Sequence, residues 1–281
     1  MLQALRRDTR LAFTAIACLI ALWAALAYVL LPLSWRHYEH QRGLAGLAMV
    51  TRTRNGIPGD PINVGLVGSK SDVLCAMNAA EWYPADPITL RSSLEIIGSV
   101  LLDRPYRDAP VSNLYYQDKP EDLAFEQLVG TSADRRHHVR FWKVLERGQE
   151  GRAVWLGAAT FDRGVGLSHD DARITHHIGP NVDADRDLLT SDLAAARVVT
   201  TIYEVSGVGP TLDGRNGEGD PYYTDGEIKI SVLVVGCNQR SETVVRLGNP
   251  TMVQIKNRAW SVIASTLLSN SSSAPASKRS H

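Results

Sequence analysis

Cysteine is scarce in this chain, and neither sign of charge is in excess. Three cysteines cannot build a disulfide framework. No CxxC pair occurs, which removes thiolate zinc sites and thioredoxin-type redox chemistry. Cys18 lies inside an apolar run; Cys75 and Cys237 can bridge or remain two buried thiols, and two thiols is the preferred reading. Lys plus Arg equals Asp plus Glu at 30 each over 281 residues, so no global field draws the chain to DNA or RNA, and no nucleic-acid partner is expected. The HExxH pattern, the phosphate-loop pattern G-x-x-x-x-G-K-[ST] and the G-x-S-x-G elbow are missing, which removes three common catalytic signatures. Internal repeats are absent as well. What remains is 44% apolar and 21% charged residues, a balance able to bury a sizeable core.

One apolar run stands apart. LAFTAIACLIALWAALAYVLLPL, residues 11–33, contains no Asp, Glu, Lys, Arg or His, and about 20 apolar residues in a helix cross a hydrocarbon core of about 30 Å. Trp35 and Tyr38 follow where interfacial aromatics belong. Ala25-Leu26-Ala27 resembles a signal-peptide cleavage site, but signal cores span about 7–15 residues and this run continues past that point. The reading is an uncleaved single-pass membrane anchor. Arg6, Arg7 and Arg10 precede it, while Arg36, Arg42 and Arg52 follow. The denser basic residues on the N-terminal side lean the soluble part to the extracytoplasmic face.

The chain then divides into a tail (1–10), the anchor (11–33), a helical juxtamembrane stalk (34–50), a folded domain (51–237) and a C-terminal extension (238–281) with a low-complexity end. Ser69 is a helix N-cap ahead of Val73, Leu74 and Met77, and a second helix is expected over 88–102. From residue 110 onward, short aromatic and β-branched runs separated by turns predict strands, interrupted by the helix DADRDLLTSDLAAARVV. The fold class is therefore α+β, a mainly antiparallel mixed sheet with packed helices. An amphipathic helix at 252–268 either lies on a membrane surface or docks on the domain.

Several of these stretches, TRTRNGIPGDPINVGLVGS, WYPADPITLRSSL, RPYRDAPVSNLYY, DLAFEQLVG, RRHHVRFW, LGAATFDRGVGLS, THHIGPNVDADRDLL and GPTLDGRNGEGDPYYTDGE, occur in order and together resemble the LssY C-terminal domain family. The resemblance implies a bacterial, membrane-associated protein. Similar domains stand alone or beside lipid-phosphatase-type and DedA-type membrane modules, and the family name is tied to a secretion locus. It implies no established activity, and no lipid-phosphatase motif is present here to transfer one.

Two histidine pairs carry the candidate chemistry. On a strand, side chains alternate between faces, so His137, Val139 and Phe141 share one face of RRHHVRFW while Arg136, His138, Arg140 and Trp142 share the other. In RITHHI, His176 lies with the isoleucines, and Arg173 and His177 lie opposite. His138 and His177 are thus expected to be the more exposed members. Arg136, His138, Arg140, Arg173 and His177 would form a basic outer stripe suited to a phosphate or carboxylate, because the arginine fork binds such oxygens bidentately. Alternatively, His137 and His176 would bind a metal with Asp162 or Asp183. The plainer reading makes them core histidines satisfied by backbone or carboxylate. LDGRNGEGDPYYTDGE is read as a tight turn built from Asx-Gly pairs rather than a calcium loop. Three functions stay open: a membrane-anchored accessory or binding module for an anionic lipid or polyprenyl phosphate, with lipid-phosphatase-type or secretion-related membrane proteins as partners; a metal-dependent hydrolase; and a structural scaffold. No cofactor follows from the residues.

Overall fold

A computed structural model describes residues 2–30, 40–87, 89–91, 114–130, 135–167 and 174–272. Helix α1 (Leu2–Ala25) runs on into a π-helical stretch, Leu26–Leu30. Within it, Arg10–Leu30 is a helix of 21 residues, long and apolar enough to cross a membrane, or about 32 Å at the α-helical rise. Its large side chains, Phe13, Leu19, Trp23 and Tyr28 among them, are exposed, as a lipid-facing helix requires.

Of the expected helical stalk, residues 40–49 are turns and not helix, and residues 34–39 lie outside the described residues. Gly43 and Gly46 hold φ at 97° and 85°, a left-handed backbone that ends helices. Gln41 and Leu44 are buried here. The Gln41 amide donates to the Tyr203 hydroxyl and accepts from the Gln149 N–H at 3.0 Å, so this stretch packs with the domain.

The domain follows as β1 (Val50–Arg52), β2 (Pro58–Pro61), β3 (Val64–Val67), α2 (Lys70–Ala79), β4 (Tyr83–Pro84), β5 (Tyr115–Tyr116), β6 (Lys119–Pro120), β7 (Leu123–Leu128), β8 (Arg136–Leu145), β9 (Val154–Leu167), β10 (Ile174–Ile178), α3 (Val182–Ala195), β11 (Val199–Ser206), β12 (Thr211–Arg215), β13 (Pro221–Thr224), β14 (Glu227–Leu233), β15 (Val245–Arg246) and α4 (Thr251–Ser272). Nine strands form the main sheet in the order β15-β11-β14-β3-β9-β8-β7-β4, with β10 also on β9. Only β14–β3 and β11–β15 are parallel. The class is α+β, as the sequence predicts. A four-stranded sheet, β2-β1-β5-β6, and the β12–β13 hairpin stand beside it. Of the helix expected at 88–102, residues 89–91 are described and helical; the rest lies outside the described residues.

Both faces of the main sheet are covered. On one, Trp155 and Ala159 of β9, Val139 and Phe141 of β8 and Leu123 and Phe125 of β7 pack against Val73, Met77, Leu189 and Leu193 of α2 and α3. On the other, Val154, Leu156 and Ala158 meet Leu44, Ile62, Leu114, Tyr116 and Trp142. Gly157 lets the Phe141 ring cross β9: a Cβ there would stand 2.6 Å from that ring.

Local signals hold at the helix starts. Ser69 and Asp72 form a capping box on α2, and Asn181 caps α3 with Asp183 and Asp185 in its first turn, where the helix dipole favours negative charge. The cysteines depart from expectation: Cys75 and Cys237 are joined in a disulfide, with Cα atoms 5.0 Å apart. The turn after β14 folds over α2, its Gly236 N–H donating to Asp72 Oδ1 at 2.8 Å, which brings Cys237 to the helix.

Candidate functional site

Strand β8 alternates as its sequence predicts, and both its faces are covered, but the burial of its two histidines is the reverse of that expected. His138 is 1% exposed, whereas the His137 side chain is 22% exposed. Arg136 and Arg140 are buried too. Of the expected basic stripe, Arg136, His138 and Arg140 are therefore not solvent-facing, His177 keeps a side chain 37% exposed, and Arg173 lies outside the described residues. Residues from β2, from the segment before β7 and from the β12–β13 turn supply carboxylates over this face, and solvent is excluded.

The strand register assembles the network. Asp162 stands opposite Arg136 across β8–β9, and Glu126 stands opposite His138 across β7–β8. Arg136 donates through Nε to Asp162 at 3.1 Å and through NH1 to Glu126 at 2.6 Å. Arg140 lies 3.8 Å from both Asp60 and Glu121. Asn216 donates to Asp60 at 3.2 Å, and its Oδ1 accepts from the backbone of Glu218 and Asp220. Asp220 in turn accepts from His177 Nδ1 at 2.9 Å and from the Ile178 N–H at 3.0 Å. The glycine-rich turn is thus an Asx turn, as read from the sequence, and it also delivers Asp220 to the second histidine pair.

Burial raises the pKa of Asp60, Glu121 and Glu126. Arg140 opposes the shift at the first two, Arg136 opposes it at Glu126, and neighbouring carboxylates add to all three. Two guanidinium groups thus sit among five carboxyl groups, those of Asp60, Glu121, Glu126, Asp162 and Asp220. The surplus is of hydrogen-bond acceptors. At the edge stands His177, its side chain 37% exposed. A carboxylate facing Nδ1 is the arrangement a His–Asp pair uses in acid–base work.

Of the metal set, the described members His137, Asp162 and Asp183 each hold other partners. His137 Nδ1 pairs with Asp185 at 2.6 Å, on the helix side of the sheet. Asp162 faces the other side, held by Arg136. Asp183 is tied to Thr224 Oγ1 at 2.6 Å and to the Asp225 N–H at 2.8 Å. Among the described residues, no group of three or more His, Cys, Asp or Glu is placed to hold a metal. Arg173 and the side chain of His176 lie outside the described part. Sequence reasoning missed Asp60, Glu121, Glu126, Asp185, Asn216 and Asp220 as partners. Their one signal was position: Asp60, Asn216 and Asp220 lie in the polar, glycine-bearing motifs quoted above.

The model of the family described as LssY C-terminus matches residues 41–228, well over half of the chain. The chain belongs to the LssY C-terminus family. Its matched span begins at Gln41, where the packed domain begins, and contains the network from Asp60 to Asp220; the apolar helix and α4 fall outside it. No curated protein and no solved structure matches the chain.

Proposed function

We propose that this LssY C-terminus protein is a membrane-tethered binding module on the extracytoplasmic side, taking a lipid headgroup that carries both hydroxyls and a phosphate at the His177 edge of the polar network. The observation that carries the reading is the convergence of Asp60, Arg140, His177, Asn216 and Asp220 from four distant segments. Burying so many ionisable groups costs more than apolar packing would, and such clusters concentrate at functional sites. A purely anionic ligand fits less well than an exposed basic stripe would have suggested, because carboxylates already hold both arginines. Ligand hydroxyls match the surplus acceptors, and His177 remains for the phosphate. The Cys75–Cys237 disulfide supports the sidedness, since such bonds persist in oxidising compartments.

The test measures the unfolding midpoint of the detergent-solubilised full chain with added phosphatidylglycerol, phosphatidic acid or phosphatidylcholine. A ligand at 100 times its Kd stabilises by about 2.7 kcal/mol. Phosphatidylglycerol should raise the midpoint most, and His177→Ala should remove that difference while leaving the lipid-free midpoint near that of the wild type. Equal shifts from all three lipids, or an undiminished shift in His177→Ala, would sink the proposal. The His177–Asp220 pair favours one second reading, acid–base hydrolysis of the same headgroup; release of glycerol phosphate in the same samples reports it.

A further inference from the structure

Helix α4 presents an apolar face that no described residue of the domain covers. Its first turns dock. Val253 is buried, the Lys256 ammonium bonds the buried Glu227 carboxylate, and Asn257 Nδ2 donates to the same carboxylate at 3.2 Å. Met252, Ile255 and Ile263 are exposed by 46, 53 and 46% and Val262 by 65%, and with Ala259 they follow the i, i+3, i+7, i+10, i+11 spacing of one helix face. Trp260 is half-buried and lies on the docked face, four residues after Lys256 and seven after Val253. The opposite face carries Gln254, Ser261 and Ser265, all exposed. A soluble helix gains nothing from such a stripe in water.

We propose that this face of α4 lies in the headgroup region of the bilayer that holds the chain's own apolar helix. Two further observations single out lipid. The chain is neutral overall, yet after Glu242 it has five Lys or Arg (Arg246, Lys256, Arg258, Lys278 and Arg279) and no Asp or Glu. A basic segment with an apolar stripe suits an anionic leaflet. Tether length also favours lipid. Leu30 is the last described residue of the apolar helix and His40 the first described residue after it, so the ten peptide steps between them span at most about 36 Å. The domain is kept within reach of the membrane whatever path that link takes. The lipid face of α4 is independent of ligand binding at His177.

Depth-dependent fluorescence quenching tests this in the full chain. Cys18 is replaced by Ala, the Cys75–Cys237 bond is left intact, and an environment-sensitive dye is placed at Ile263→Cys or, as the opposite-face control, at Ser261→Cys. Each protein is reconstituted in nanodiscs of phosphatidylglycerol and phosphatidylcholine, with or without nitroxide-bearing lipid. The dye at 263 should shift to the blue and be quenched several-fold more by nitroxide lipid than the dye at 261. Adding Met252→Asp and Ile255→Asp, both at exposed positions, should abolish the difference without changing helical content. Equal quenching at the two positions would overturn the proposal. So would a blue shift at 263 that nitroxide lipid leaves unquenched, because protein, a second copy included, would then cover the face. His177→Ala should leave the pattern unchanged, which separates this result from failure of the headgroup reading.

Discussion

Replacing Arg136 by methionine puts a number on the burial of the β8 network. The side chains of Arg136, Glu126 and Asp162 are 3, 15 and 5% exposed. A solvated ion pair contributes about 0–1 kcal/mol. Removing one partner of a buried pair costs about 3–5 kcal/mol, because the remaining charge is left uncompensated. Arg136 holds two carboxylates, at 2.6 and 3.1 Å, so the upper half of that range is expected. For a domain of this size each kcal/mol moves the unfolding midpoint by about 2–4 °C, and the drop should be about 8–20 °C. The deficit should shrink as pH falls, since burial already raises the Glu126 pKa and protonation removes the orphaned charge. Circular dichroism of the detergent-solubilised full chain measures this. The triple variant Arg136→Met, Glu126→Gln, Asp162→Asn should recover part of the loss. A drop worth less than about 1 kcal/mol in the single variant would show a solvated face and refute the burial argument.

Three other outcomes follow from particular contacts. Burial, reinforced by the neighbouring Glu204, pushes the Glu227 carboxyl up to about 7; its stabilising protonation is complete below the unfolded value of about 4.5 and is lost as pH rises through 7. The midpoint should therefore fall between pH 4.5 and 7.5, and Glu227→Gln should flatten that dependence. Reducing the Cys75–Cys237 bond, which closes a loop across a separation of 162 residues, should lower stability by up to about 5 kcal/mol on the chain-entropy account, seen as a lower midpoint with reductant. Gly157→Ala would set a Cβ 2.6 Å from the Phe141 ring and 2.8 Å from the Arg140 carbonyl. The resulting overpacking should cost about 1–3 kcal/mol, read from denaturant midpoints.

The sequence alone was enough for whatever depends on near neighbours. The apolar run yields its helix because spanning length and apolar composition are local properties. Ser69 with Asp72, and Asn181 with Asp183 and Asp185, start their helices because capping acts within one turn. The alternation of β8 is likewise a consequence of the strand period, and the mixed α+β class follows from the order of such segments. The stalk failed at Gly43 and Gly46, where left-handed backbone outweighs the helical pattern.

Tertiary structure alone decided what covers each face of β8. Period two separates His137 from His138 but says nothing of what lies above each. That depends on Asp60, Glu121, Asn216 and Asp220, brought in from strands and turns far along the chain. Asp220 reaches His177 across 43 residues, and Cys237 reaches Cys75 across 162. Torsional preference and capping are set within a few residues and can be read in order. Burial and ion pairing are set by whichever distant segments are packed against a surface, and the one-dimensional pattern does not contain that packing.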